Sequence, residues 1–163
     1  MYQLGHYGLA LLVYAPVGAA LVREGHVVAA YLGGAVMVGT ATFPDCDHRL
    51  PFVSHRGPTH SFLFAGLFGA AFGAAGSALA PVLGPTVGVD LAAFGFAVGA
   101  LSVLAHLLGD VLTPMGIRPF WPLSGRSYSF GVTTAKSPIA NYALFALGVF
   151  ATAATVVGLG LIG

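Results

Sequence analysis

Two short strings hold most of the side chains able to bind a metal or move a proton. The segment FPDCDHRLPFVSHRGPTHS, residues 43–61, carries two aspartates and three histidines, and His106 and Asp110 follow much later at a spacing of four. On a helix that spacing puts both side chains on one face about a turn apart, where they can share an ion. Imidazole nitrogens mixed with carboxylate oxygens suit zinc, manganese or ferrous iron, whereas an all-oxygen set would suit magnesium or calcium. The candidate metal ligands are His6, Asp45, Asp47, His48, His60, His106 and Asp110, with Ser102 and Thr113 extending the polar stripe of the second string. His48 and His55 divide evenly between ligands and loop surface. Cys46 reads as a space-filler between the aspartates, and His26 as an interfacial hydrogen-bonder.

The elements that must position these groups follow from composition. Of 163 residues, 57% are hydrophobic and 7% are Asp, Glu, Lys or Arg, too few charges for a water-soluble surface. The charges leave five long uncharged windows, 1–22, 25–44, 57–89, 91–109 and 137–163, and about 20 apolar residues span a bilayer as helix. A transmembrane barrel would alternate polarity in short segments, and this chain does not. The expected fold is all-α: a single domain over residues 1–163, a polytopic bundle of about five transmembrane helices. Helix 1 is predicted over 4–22, helix 2 over about 26–43, helix 3 from near 61 to before Pro85, helix 4 from Asp90 to about 112, and helix 5 from Pro138 almost to 163. The first window lacks a basic n-region and is expected to be a retained span rather than a cleaved signal. The glycine pairs Gly69/Gly73 and Gly95/Gly99 suit close helix packing inside one bundle.

Five crossings put residues 1–5, 44–60 and 113–137 on one membrane face, with 23–25, 84–90 and the C-terminus on the other. Five of the six histidines and three of the five acids then converge on the first face, at the exit end of helix 4. Ionisable groups at membrane depth are costly and need partners, and a metal ion is the economical one. The expected centre is therefore a His/Asp metal site at one membrane face, holding two divalent ions, with zinc ahead of manganese or iron.

Arg49, Arg56, Arg118, Arg126 and Lys136 also fall on that face, leaving Arg23 opposite. Guanidinium matches phosphate oxygens in bidentate fashion, which points to an anionic, phosphorylated substrate. An excess of Lys and Arg on one side is equally what the positive-inside rule demands, which puts the N-terminus and the site on the cytoplasmic side. Arg49, Arg56 and His55 are the candidates for the chemical step, and Arg118, Arg126 and Trp121 for substrate binding. Trp121, Phe120 and Tyr128 suit headgroup level, as anchors or as a floor for a lipid. A net charge of +1 without a basic run excludes nucleic acid as the main partner, and one cysteine excludes an internal disulfide.

The strings DCDHR (45–49), HRGPTHS (55–61), HLLGDVLTPMG (106–116) and PFWP (119–122), with the early His6, resemble the YdjM-like family of membrane-bound metal-dependent hydrolases, also described as LexA-regulated inner-membrane proteins. The resemblance spans nearly the whole chain and implies a multi-helix membrane protein with a divalent-metal hydrolase site. A more distant similarity is to zinc-dependent phospholipase C and P1-type nucleases, which also use an early His, an Asp followed by a His, and a helical His-x-x-x-Asp pair. The expected function is a membrane-embedded metal-dependent phosphoesterase, an enzyme whose partners are the lipid bilayer and an anionic, lipid-like substrate. The competing expectation is a small metal-ion transporter or metal-binding membrane protein, which would carry ligands near the midplane with access from both faces. A scaffold stapled by a metal would need no open coordination position and no adjacent arginines.

Overall fold

The computed structural model describes residues 1–49 and 55–161. It is all-helical, with no strand among the described residues. The helices are α1 (Gln3–Arg23), α2 (Val27–Thr40), α3 (Phe62–Val87), α4 (Leu91–Val111) and α5 (Pro138–Gly158), with 3₁₀ turns at Phe43–Arg49 and Pro58–His60. All five are long and apolar enough to cross a membrane, the second when counted with its 3₁₀ continuation as Val27–Arg49. The expected five-span bundle is the observed one.

Local chemistry sets the helix starts. The Asp90 carboxylate accepts from the N–H groups of Ala92 and Ala93, Ser137 caps α5 ahead of Pro138, and Ser61 caps α3 by accepting from Phe64. Helix ends depart more from expectation. The α-helical part of α2 stops at Thr40 rather than near 43, because Pro44 has no N–H to offer the Thr40 carbonyl. Conversely, α3 runs through Pro81 and Pro85 to Val87. Its last turn is held by packing of Val87 against Ala29 and Leu91, and membrane helices tolerate proline where neighbouring elements compensate. α5 ends at Gly158, and its expected continuation reaches 162–163, outside the described residues.

α4 is the central helix, packing on α1, α2 and α3, while α5 leans on α1. Small residues allow these approaches. A methyl group at Gly95 would strike the Phe72 backbone, one at Gly99 would meet the Phe72 side chain, and at Gly8 and Gly148 the backbones of α1 and α5 leave no room for Cβ. The glycine spacing thus serves packing within the bundle. Below the site, Ala10, Tyr14, Met37, Ala41, Val98 and Ala105 form an apolar core shared by α1, α2 and α4. Leu67, Val82, Ile139 and Phe150 are exposed on the outside, as lipid-facing residues should be.

Candidate metal centre

One end of this bundle gathers side chains from α1, the Phe43–Arg49 turn, the Pro58–His60 turn and α4. His106 is carried by α4, and its Nδ1 lies 2.8 Å from the Ala41 carbonyl where α2 ends. A carbonyl only accepts, so Nδ1 holds a proton, and in the neutral ring Nε2 presents a lone pair. His60 reaches the same state by a relay. The Thr59 hydroxyl gives its proton to Asp47 Oδ2 at 2.9 Å and so accepts from His60 Nδ1, also at 2.9 Å. The hydrogen-bond network thereby assigns both tautomers, and the two Nε2 lone pairs face each other at 3.2 Å. Such a pair is stable only with a cation between the rings, either a metal ion or a shared proton.

Two carboxylate oxygens complete the set. Asp110 Oδ2 is 3.2 Å from His60 Nε2 and 3.5 Å from His106 Nε2, and Asp45 Oδ1 is 3.5 Å from each of those nitrogens. Ligands sharing one tetrahedral ion at the usual zinc distances stand about 3.3 Å apart. Asp45, His60, His106 and Asp110 therefore fit a divalent cation by donor type, tautomer and spacing. Asp110 Oδ2 is buried with no hydrogen-bond partner among the described residues, as an oxygen reserved for a metal would be. Asp45 is the most open of the four, its side chain 28% exposed where the others are fully buried.

Around these ligands lies an orienting layer. Asp47, fully buried, accepts from His55 Nδ1 through Oδ1 and from the Arg56 N–H and the Thr59 hydroxyl through Oδ2, each at 2.9 Å. Its place is thus behind His60, outside the four-residue group, and beside Asp45, His48 and His55. The Arg56 guanidinium donates to Asp110 Oδ1 and Thr113 Oγ1 at 2.7 Å and to the Gly116 carbonyl at 3.2 Å, which engages it with a candidate metal ligand and turns it inward. To do this while its own N–H points at Asp47, Arg56 takes a left-handed backbone with φ 58°, a conformation costing on the order of 1–3 kcal/mol in a residue other than glycine. Asp110 Oδ1 also meets the Met1 amine.

His6 of α1 stacks on His106 with ring centroids 3.8 Å apart and planes within 6°. Its Nε2 lies 3.6 Å from Asp110 Oδ1, and both ring nitrogens are buried without a hydrogen-bond partner among the described residues. The structure thus brings His6 to the edge of the four-ligand group. His48 and His55 stack on each other at 3.6 Å beside Asp45 and Asp47, the first exposed and the second half-buried. Arg49 lines a polar cavity of 310 Å³ with Gln3, Thr42, Asp45 and Cys46, so the open side of Asp45 gives onto this space.

Arg118, Arg126 and Trp121 are not brought to the cluster. Among the described residues none of them hydrogen-bonds or ion-pairs with it. The loop over residues 112–137 folds back along α4 through the Ile117–Tyr128 backbone pair and the Phe130 N–H to the Val111 carbonyl, and Ile117 packs against Val103 and Leu107, on a different face from His106. Arg126 lies over the Tyr128 ring, its guanidinium 5.2 Å from the centroid.

Three contributors were not singled out from sequence: Thr59, the Ala41 carbonyl and, as an anchor for the N-terminus, Asn141. The Asn141 carbonyl oxygen accepts from the Tyr2 N–H at 3.0 Å while its amide donates to Ala135 and Ser137 carbonyls. As the one amide in an apolar helix, Asn141 carried a signal of its own, whereas a carbonyl and a threonine beside a histidine carry none.

No curated protein and no solved structure matches the chain. The family model for the YdjM inner membrane protein matches residues 1–162, and with five membrane-length helices around this cluster the chain belongs to that family as a multi-pass membrane protein.

Proposed function

We propose that the protein is a membrane-embedded hydrolase dependent on a divalent metal, zinc by the mixed nitrogen and oxygen donor set, and that it cleaves a phosphoester in a lipid or another membrane-associated anion. The observation that carries this reading is the facing pair of Nε2 lone pairs on His60 and His106, closed by Asp45 and Asp110. When bound, such an ion acidifies water and polarises a phosphoryl oxygen. The chain's own residues supply the rest. Asp45, the open ligand, borders the 310 Å³ cavity, and Arg49 on its wall offers a guanidinium to an anionic group. A cavity of this size is at the small end of ligand sites and suits a headgroup more than a bulky polymer. Arg118, Arg126 and Trp121 act at headgroup level on the outer loop, away from the reacting centre. Arg56 and Asp47 hold the ligands in place.

The apolar core beneath the cluster argues against a transport path, which would need polar groups continuing toward Glu24, His26 and Asp90 at the far end. In detergent-purified protein, phosphate release from anionic phospholipids, phosphorylated isoprenoids and simple phosphoesters should depend on added zinc or manganese and stop with a chelator. Folded, metal-loaded protein inert across that panel would transfer the assignment to a metal transporter, tested by zinc uptake into vesicles.

The cluster face is proposed to be cytoplasmic, because Arg49, Arg56, Arg118, Arg126 and Lys136 lie at that end against Arg23. With Cys46 replaced by serine, a cysteine introduced at Glu24 should react with an impermeant thiol reagent in intact cells, and one at Ser124 should react only after lysis. The reverse pattern would invert the topology.

A further inference from the structure

His55 shares a feature with the two histidines already assigned. In His60, His106 and His55 alike, Nδ1 is tied down by a fixed acceptor, and Nε2 is left with its lone pair. The acceptors are the Thr59 hydroxyl, the Ala41 carbonyl and Asp47 Oδ1 respectively, at 2.9, 2.8 and 2.9 Å. Metal-bound histidines nearly always have their second nitrogen held in this way, because the outer hydrogen bond selects the tautomer and aims the ring. A loop histidine serving only as surface has no need of a fully buried carboxylate behind it, yet Asp47 is fully buried and Oδ1 faces His55. The same Asp47, through Thr59, sets the tautomer of His60, so one carboxylate aims a histidine in each of two neighbouring groups.

The second group is compact. Asp45, Asp47, His48 and His55 each offer a ligand atom, and these atoms lie within 4.8 Å of one another. His48 stacks on His55, and the His55 ring meets the His60 ring edge to face with centroids 5.5 Å apart. Asp45 belongs to both groups. It is also the ligand whose second oxygen is least confined, since its side chain is the one left 28% exposed.

We propose that Asp45, His48 and His55 bind a second divalent ion beside the first, with Asp45 bridging the two and Asp47 aiming His55. The second ion presupposes the four-ligand ion of the hydrolase reading, and it changes what His55 does. Its Nε2 is a metal ligand rather than the proton carrier of the chemical step. Among the described residues, no Lys or Arg side chain ion-pairs with the two imidazoles and two carboxylates of this group. Two ions sharing a carboxylate make a pair able to hold both the attacking and the leaving oxygen of a displacement at phosphorus.

The test uses manganese alone as the probe, on full-length protein in detergent, with metal stoichiometry and electron paramagnetic resonance as readouts. Wild type should bind two ions per chain and give the broadened multiline spectrum of a coupled pair. His55→Gln and His48→Ala should each reduce the stoichiometry to one and restore the six-line spectrum of an isolated ion. Asp45→Asn should uncouple the pair. One ion in wild type, unaffected by His48→Ala or His55→Gln but lost in His106→Ala, would overturn the second site and leave the hydrolase reading standing. Two ions without magnetic coupling would overturn the Asp45 bridge. No ion bound by monodisperse, helical protein would overturn both the second site and the metal-dependent reading beneath it.

Discussion

His106→Ala protein is expected to insert and fold as five helices but to lose its high-affinity metal. Removing an outer hydrogen-bond partner of a metal ligand typically weakens affinity by about 10–100-fold, and in the proposed site His106 is one of the four ligands themselves, so the loss should exceed that range. Insertion should survive because α4 is driven into the bilayer by its apolar residues, not by this side chain. Asp110→Asn should give the same loss, since an amide is a weaker ligand than a carboxylate and leaves Arg56 facing a neutral group. Chelator competition on purified protein, with elemental analysis of the bound metal, measures the effect. Affinity within threefold of wild type in both variants would remove the four-ligand site, and with it the metal-dependent reading.

Arg56→Ala is expected to be the most destabilising single substitution on this face. The guanidinium pairs with Asp110 in a buried setting, and removing one partner from such a pair costs roughly 3–5 kcal/mol because the other is left as an uncompensated charge. Arg56→Lys should rescue little of this, since an ammonium cannot serve Asp110, Thr113 and the Gly116 carbonyl from one planar fork. Arg56→Gly separates side chain from backbone. With φ at 58°, glycine relieves the local strain, so a loss comparable to that of alanine assigns the effect to the guanidinium. Combining Arg56→Ala with Asp110→Asn should cost much less than the two single changes added together, as expected for groups in direct contact. Thermal unfolding in detergent is the measurement, and an Arg56→Ala protein within 1 kcal/mol of wild type by the order-of-magnitude scale for surface changes would exclude this role.

Membrane class, number of spans and the gathering of the His/Asp groups at one end of the bundle were legible in the residues alone. Each rests on quantities that add along the chain: length of uncharged runs, the strict alternation of sides with each crossing, and the four-residue spacing of His106 and Asp110. Capping residues are equally local, which is why Asp90 and Pro138 mark helix starts correctly. Helix ends were less legible. Whether α3 stops before Pro85 or continues to Val87 depends on what its last turn packs against, and that partner, Ala29 of α2, is distant in sequence.

The roles inside the cluster were decided by tertiary structure. Asp45 and Asp47 are two residues apart and indistinguishable as a string, yet one opens onto a cavity beside the facing histidines while the other is buried behind His55, Arg56 and Thr59. Arg49 and Arg56 look alike in sequence, but Arg49 faces the cavity and Arg56 turns inward onto Asp110, because a left-handed backbone at one residue redirects the side chain. Arg118, Arg126 and Trp121 share the membrane face with the site and still do not touch it, since the Ile117–Tyr128 pair carries their loop along another side of α4. Partition between lipid and water is a property of each segment, so composition reveals it. Which lone pair points at which neighbour depends on groups brought together from α1, α2, α4 and two 3₁₀ turns, and only the folded chain places those groups within hydrogen-bond reach of one another.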